Sequence, residues 1–256
     1  AVVLDGSASS DQDGRLTAFN WTFGDGHSAA GSKTTHAYER PGTYTATLRI
    51  EDDSDSPCNF ATDELKVWVN APPVAAAGED TRGALGQELT FSGEKSSDSD
   101  GELTAWVWDF GDGGKASGKL VRHAWMSPGL YRVRLAVTDN AGVDNSTQTD
   151  ELTVFINDPP VARAGADAKG AIAESLPFDG SGSFDKDGAL TGYKWDFGDG
   201  NRKEGKQTTH AYQQAGKYMV VLTVKDNSST PSDTRSDSLV VTVSQPPVAD
   251  AGPDQL

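Results

Sequence analysis

The chain has 256 residues, with 22 Lys or Arg against 38 Asp or Glu, a formal charge of −16 and 28 glycines. This balance disfavours nucleic acid as a partner, because phosphate binding rests on clustered cations and none occur here; acidic loops suit hard cations instead. No apolar run approaches the roughly 20 residues that span a bilayer, and residue 1 is Ala with no basic-then-apolar leader, as expected of a chain whose signal was removed or of a fragment.

Along the chain every landmark returns after 87 residues. Trp21-Thr22-Phe23-Gly24-Asp25-Gly26 recurs as Trp108-Asp109-Phe110-Gly111-Asp112-Gly113 and Trp195-Asp196-Phe197-Gly198-Asp199-Gly200. His36-Ala37-Tyr38 returns as His123-Ala124-Trp125 and His210-Ala211-Tyr212, and the diprolines stand at Pro72-Pro73, Pro159-Pro160 and Pro246-Pro247. Solenoid repeats run to roughly 20–50 residues and share one core; this longer unit predicts independent domains. The expected division is 1–70 as a first module lacking its first strand, 71–157 as the second and 158–244 as the third. Residues 245–256 then form either the first strand of a further module or a donor strand for the next subunit.

Within the second copy the predicted elements are strands at 88–91, 105–108, 131–137 and 151–155, short alternating or β-branched runs. Between them lie Asp98-Ser99-Asp100-Gly101 and Gly111-Asp112-Gly113-Gly114, turn-forming clusters in which Gly permits positive φ and Asp bonds nearby backbone. Helical patterns are essentially absent. The fold class is therefore all-β: three tandem immunoglobulin-like antiparallel β-sandwiches in an elongated array. Trp108 is expected to supply much of the core, with Tyr131, Leu135 and Val137 along a facing strand.

Candidate chemistry is sparse. The single cysteine, Cys58, matches Asn145 and Ser232 in the other copies, so no disulfide framework exists and no reactivity is assigned. One histidine recurs per copy, and His123 and its counterparts are expected to bond a turn; His27, in the first copy alone, is expected in solvent. No nucleophile, base and orienting group converge, so no catalytic site is expected.

The succession Pro-Pro-Val-Ala, Phe-Asp-Gly-Ser-Gly-Ser, Asp-Lys-Asp-Gly, Trp-Asp-Phe-Gly-Asp-Gly, His-Ala-Tyr and Gly-Lys-Tyr over 159–218 resembles the polycystic kidney disease (PKD) domain. The resemblance implies an immunoglobulin-like sandwich that works outside cells or at the cell surface. Such domains occur in polycystin ectodomains, archaeal surface-layer proteins and secreted bacterial proteases, collagenases and chitinases, where they space, adhere or bind polymers, and the resemblance implies no catalytic residue. The first copy departs in having Thr22 where the others have Asp109 and Asp196, so this Asp is not indispensable to the fold.

Asp11, Asp98 and Asp185 in the Asp-x-Asp-Gly turns are each followed after 41 residues by Asp52, Asp139 and Asp226. Asn70 and Asn157 precede the diprolines and offer further oxygen. Such a set suits calcium, which takes six to eight oxygen ligands, and the resemblance implies calcium at similar positions, as in the collagenase members. The alternative is that these aspartates only form Asx-turns; Asp13, Asp100 and Asp187 are expected to shape the turn.

Residue 1 aligns with Glu88, so the first copy lacks the segment present at 72–75 and 159–162, while 246–256 begins another copy. Two expectations follow. Either the C-terminal segment adds as a strand to the first module of the next molecule, building a filament, or the chain is cut from a longer array. The function expected is a noncatalytic extracellular structural or adhesive rod. The alternative is an accessory spacer or polymer-binding array of a longer secreted hydrolase or surface-layer protein, gripping an extracellular polymer through Trp68, Trp106 or Trp125. Asn20, Asn145 and Asn227 fit the glycosylation acceptor pattern, with Asn145 and Asn227 in loops.

Overall fold

A computed structural model describes residues 1–54, 56–245, 247, 249 and 250. All regular structure among them is β. The first module holds β1 (Val2–Asp5), β2 (Leu16–Thr22), β3 (Ser28–Ala30), β4 (Lys33–His36), β5 (Gly42–Asp52) and β6 (Phe60–Val69). The second holds β7 (Thr81–Ala84), β8 (Leu89–Ser92), β9 (Leu103–Asp109), β10 (Lys115–Ser117), β11 (Leu120–His123), β12 (Gly129–Asp139) and β13 (Thr147–Asn157). The third holds β14 (Ala168–Ala171), β15 (Leu176–Asp179), β16 (Gly192–Asp196), β17 (Arg202–Glu204), β18 (Gln207–His210), β19 (Gly216–Lys225) and β20 (Thr234–Ser244).

Each module pairs a large sheet with a two-stranded one. The large sheets have orders β3-β2-β5-β6, β10-β9-β12-β13-β7 and β14-β20-β19-β16-β17, and the small ones are β1-β4, β8-β11 and β15-β18. The sandwiches are not wholly antiparallel: β7 runs parallel to β13, and β14 parallel to β20. A module whose first and last strands lie side by side and parallel takes the chain in and releases it in one direction, as a tandem array needs. The chain also groups into two compact units. One gathers Ala1–Ala76, Gly93–Val107 and Leu135–Asp150; the other gathers Ala77–Ser92, Trp108–Arg134 and the described residues from Glu151 on.

The repeated motif explains itself residue by residue. Trp21, Trp108 and Trp195 are buried, and each indole N–H donates to a glycine carbonyl ten residues on, at Gly31, Gly118 and Gly205, over 3.1 Å. Burying an aromatic of this size with its N–H satisfied is the largest single contribution to so small a core. The next aromatic, Phe23, Phe110 or Phe197, stacks on His36, His123 or His210 at 4.1 Å between centroids. Gly111 has φ +76°, and a Cβ there would lie 2.7 Å from the Arg132 carbonyl oxygen, so no other residue fits this turn without backbone movement. The motif Asp then accepts from the histidine: Asp25, Asp112 and Asp199 Oδ2 lie 2.6, 2.7 and 2.7 Å from the Nε2 atoms of His36, His123 and His210. The recurrent histidine thus ties β4, β11 or β18 to the glycine turn.

Two expectations about the core need correction. β12 lies beside β9 in one sheet, so Leu135 and Val137 do not face Trp108 from across the sandwich; Phe91 of β8, in the small sheet, has its ring 5.9 Å from that of Trp108. Trp125 is fully buried, not a surface aromatic. It occupies the position of Tyr38 and Tyr212, and its Nε1–H donates to the Phe110 carbonyl as their hydroxyls do to those of Phe23 and Phe197.

The His–Asp ties make the modules acid-sensitive. Burial pushes the Asp199 carboxyl up, but hydrogen bonds from His210 and from the Asn201 side chain and backbone outweigh it and hold the pKa below its ordinary value. A depressed carboxylate contributes stability that is present above its unfolded pKa, about 3.9, and is lost as pH falls through the folded value. Denaturant melts between neutral and acid pH are therefore expected to show a shallower acid loss in Asp199→Asn than in the parent chain; equal acid slopes would contradict this.

The strand proposed at 246–256 lies almost wholly outside the described residues. By the repeat register, the residues equivalent to β7 and β14 begin at Gln255, so 246–254 corresponds to 72–80. In the second module that stretch makes one isolated bridge, between Val74 and Ser97.

Candidate metal centres at the linkers

The second module brings its acidic turns against the preceding linker. Asn70 follows β6, Asp98 lies in the turn before β9, and Asp139 ends β12. Asp139 is buried; its Oδ2 accepts from Asn70 Nδ2 at 2.9 Å and its Oδ1 from the Ala141 N–H at 2.8 Å. Burial pushes this carboxyl up, and the hydrogen bonds from Asn70, Ala141 and Ser146 more than offset it, so its pKa is lowered. Asp100 Oδ2 accepts from the Ala71 N–H at 3.0 Å, and Asn145 Nδ2 donates to the Asn70 carbonyl at 3.1 Å. The turn closes tightly around Gly101, where a Cβ would meet Asn140 Oδ1 at 2.4 Å and Asp98 Oδ2 at 2.7 Å.

The third module repeats the arrangement. Asn157 Nδ2 donates to Asp226 Oδ2 at 3.0 Å and Ser232 Oγ at 3.3 Å, and the Asp158 N–H donates to Asp187 Oδ2 at 2.9 Å. Asn157 and Asp226 are both about 1% exposed. A Cβ at Gly188 would lie 2.3 Å from Asn227 Oδ1 and 2.6 Å from Asp185 Oδ2.

Asp98 and Asp185 stand apart from every other carboxylate in this frame. Both oxygens of each are buried and have no hydrogen-bond partner among the described residues. A buried unpaired carboxylate costs several kcal/mol, and it either takes up a proton or pairs with a cation. Burial, followed by the charges of Asp187 and Asp226, pushes the Asp185 pKa up. Asp226, by contrast, is held below its ordinary value: burial raises it, but Ser228 and Asn157 donate to it and Lys225 lies nearby. Unpartnered carboxylates beside further carboxylate and amide oxygens fit a hard divalent cation.

In the first module the pair is present but open. Asp11 and Asp52 line one shallow surface pocket with Cys58 and Phe60. A Cβ at Gly14 would lie 2.7 Å from Asp11 Oδ2, and Asp52 Oδ1 accepts from the Ser54 N–H at 2.7 Å. Cys58 is exposed.

Asp185 feels the charge of Asp226, and Asp11 and Asp52 line one pocket; the linker residues differ from expectation in two ways. Asn70 and Asn157 present their amide nitrogens, not oxygens, to the neighbouring aspartates. Asp100 and Asp187, expected only to shape the turn, also accept from the linker backbone. Sequence reasoning missed Asn145 and Ser232, although both share the column of Cys58, because their partners lie 75 residues away. Asn145, a candidate acceptor for glycan, has its amide committed to the linker; Asn227 is exposed, with Oδ1 accepting from the Ala189 N–H at 3.1 Å. Among the proposed polymer-binding aromatics, Trp68 is 75% exposed, whereas Trp106 is half-buried and donates to the Gly93 carbonyl at 3.2 Å. Trp106 shares its column with Phe19 and Tyr193, which pack on their own cores.

Three immunoglobulin-like sandwiches joined by Pro-Pro linkers, each with the same Trp, Gly and His–Asp frame, define a tandem array of one module. The chain belongs to the PKD domain family, whose signature matches residues 1–67, 70–154 and 157–243. It is 31% identical over 280 residues to the mouse (Mus musculus) dyslexia-associated protein KIAA0319-like protein, covering 97% of this chain and 26% of that one. It is 40% identical over 87 residues, one repeat length, to collagenase ColA of Clostridium perfringens (strain 13 / Type A), covering 34% of this chain and 8% of the relative. Among solved structures it is similar to the PKD1 domain of Vibrio anguillarum Epp, at 32% identity over 35% of this chain and 99% of that one, with a TM-score of 0.30. The chain spans about a quarter or less of the length of these curated relatives.

Proposed function

We propose that the chain is a noncatalytic extracellular spacer array whose linkers are stiffened by calcium. The observation that carries this reading is the buried, unpartnered carboxylate oxygens of Asp98 and Asp185, in modules whose linker asparagine also bonds a second buried aspartate. Asp98, Asp139 and Asn70 would hold one ion, and Asp185, Asp226 and Asn157 another; the amides of Asn70 and Asn157 would turn their oxygens to the cation, a flip that exchanges donor for acceptor. Asp11 and Asp52 form the same pair without a linker residue, a weaker site. The ion supplies positive charge that ties the linker to the module's loops. An accessory role agrees with the kinship to single repeats of a collagenase, in which such modules form a small part of the whole.

Amide hydrogen exchange with and without calcium tests this. Exchange at Ala71 and Asp158, whose N–H groups bond Asp100 and Asp187, is expected to slow on calcium addition. Equal rates with calcium and with chelator would overturn the reading.

A second reading is head-to-tail assembly into an adhesive filament by strand addition at the edge of β6. β13 and β20 each carry a parallel partner at Val154–Asn157 and Val241–Ser244, whereas β6 has none among the described residues. An open edge accepts either a preceding strand of a longer chain or a strand from another copy. Electron micrographs of the chain at micromolar concentration separate these: uniform filaments support assembly, and single short particles leave the spacer. Polymer capture rests on Trp68, and pull-down on an insoluble collagen or chitin preparation with Trp68→Ala checks it.

A further inference from the structure

We infer that Asp25, His27 and His36 of the first module form a binding site for a divalent transition metal of the zinc class, a site the other two modules lack. It is separate from the oxygen-lined linker centres. Asp25 Oδ2 lies 2.6 Å from His36 Nε2, Asp25 Oδ1 lies 3.3 Å from His27 Nδ1, and one ligand atom from each of the three residues lies within 4.8 Å of the others. Zinc bonds imidazole nitrogen and carboxylate oxygen at about 2.0–2.2 Å, which makes the edge of a tetrahedral ligand set about 3.3–3.5 Å. The Asp25–His27 separation already has that length. The Asp25–His36 contact is a hydrogen bond, and it opens by less than about 1 Å when a metal replaces the shared proton.

Two of the three ligands come ready-made from the fold. The His36 ring is fixed between Phe23, stacked at 4.1 Å, and Tyr38, edge-on at 4.7 Å. The Asp25 carboxylate is fixed by the His27 N–H at 3.1 Å and, with His36, is mostly shielded from solvent. Preorganised ligands lower the ordering cost of binding. The third ligand is particular to this module. His27 occupies the position held by Gly114 and Asn201, directly beside the His–Asp pair: a Cβ at Gly114 would meet His123 Cε1 at 2.7 Å and Asp112 Oδ1 at 2.9 Å. In the third module Asn201 Nδ2 donates to Asp199 Oδ2 at 3.1 Å, so that side chain satisfies the carboxylate as a donor. His27 instead brings a nitrogen lone pair, and its side chain is 67% exposed and free to adjust. Two imidazoles and one carboxylate suit zinc, copper or nickel and not calcium, which selects oxygen. Three protein ligands at a surface leave the fourth position to water.

Calorimetric titration with zinc, in millimolar calcium so that the linker carboxylates are filled, tests the inference. One zinc per chain is expected. His27→Asn, which installs the residue the third module already tolerates, is expected to abolish that binding without changing thermal unfolding in the absence of zinc. Asn201→His, which rebuilds the triad in the third module, is expected to raise the stoichiometry to two. No saturable zinc binding by the parent chain, or binding that persists in His27→Asn, would overturn it.

Discussion

Trp195→Ala is expected to lower the stability of the third module by about 3–5 kcal/mol, the cost of deleting a fully buried indole when the surroundings collapse only in part. Trp195 is 1% exposed, its ring lies 5.6 Å from that of Phe178 in the opposite sheet, and its N–H satisfies the Gly205 carbonyl. Alanine leaves both a cavity and an unpaired acceptor. A small domain holds a margin of about 5–15 kcal/mol, so the loss takes a large share of it. The third module has its own buried cluster, Phe178, Trp195, Phe197, Tyr212 and the valines and leucines around them, and the first module has another around Trp21 and Leu48. Denaturant unfolding should therefore shift the transition of the third module and leave that of the first in place. A shift within about 0.5 kcal/mol, the range of surface substitutions, or an equal shift in both modules, would contradict separate cores.

Much of this fold was legible because the repeat compares the sequence with itself. Residues 105–108, 131–137 and 151–155 fall inside β9, β12 and β13, and 88–91 is offset by one from β8. β7 was not legible: Thr81-Arg82-Gly83-Ala84 alternates nothing and contains a glycine, and it is a strand because β13 offers a parallel edge. β10, three residues of which two are polar, owes its state to β9 in the same way. Trp125 stands out in the sequence because its identity differs from its counterparts while its task does not; an indole N–H and a tyrosine hydroxyl reach the same carbonyl. At the linkers, the aspartates spaced by 41 residues were readable, since repetition exposes them. Asp100, Asp187, Asn145 and Ser232 were not, because each acts on a linker residue that only tertiary structure brings near.

Calcium at 100 times its Kd is expected to stabilise the chain by about 2.7 kcal/mol per occupied site. The sign reverses without it. Asp98→Asn and Asp185→Asn replace a buried unpaired charge by a neutral amide of the same shape, so in chelator both variants should unfold at higher denaturant than the parent, while calcium should no longer stabilise the altered module. Acidity separates the states similarly. Because the Asp185 pKa is raised, the folded metal-free form binds its proton more tightly than the unfolded chain does, and this group alone makes that form gain stability as pH falls through the folded pKa. The same proton displaces calcium, so the calcium-dependent increment shrinks over that range. Parallel losses in calcium and in chelator would contradict the assignment.

The most direct measurement is a calcium titration by calorimetry on the parent chain, Asp98→Asn and Asp185→Asn. Two principal sites are expected in the parent and one in each variant, with the third module's site lost in Asp185→Asn and the second module's in Asp98→Asn. Absence of saturable binding, or an unchanged isotherm in both variants, would show that these buried carboxylates hold no cation and would leave the linkers without their proposed brace.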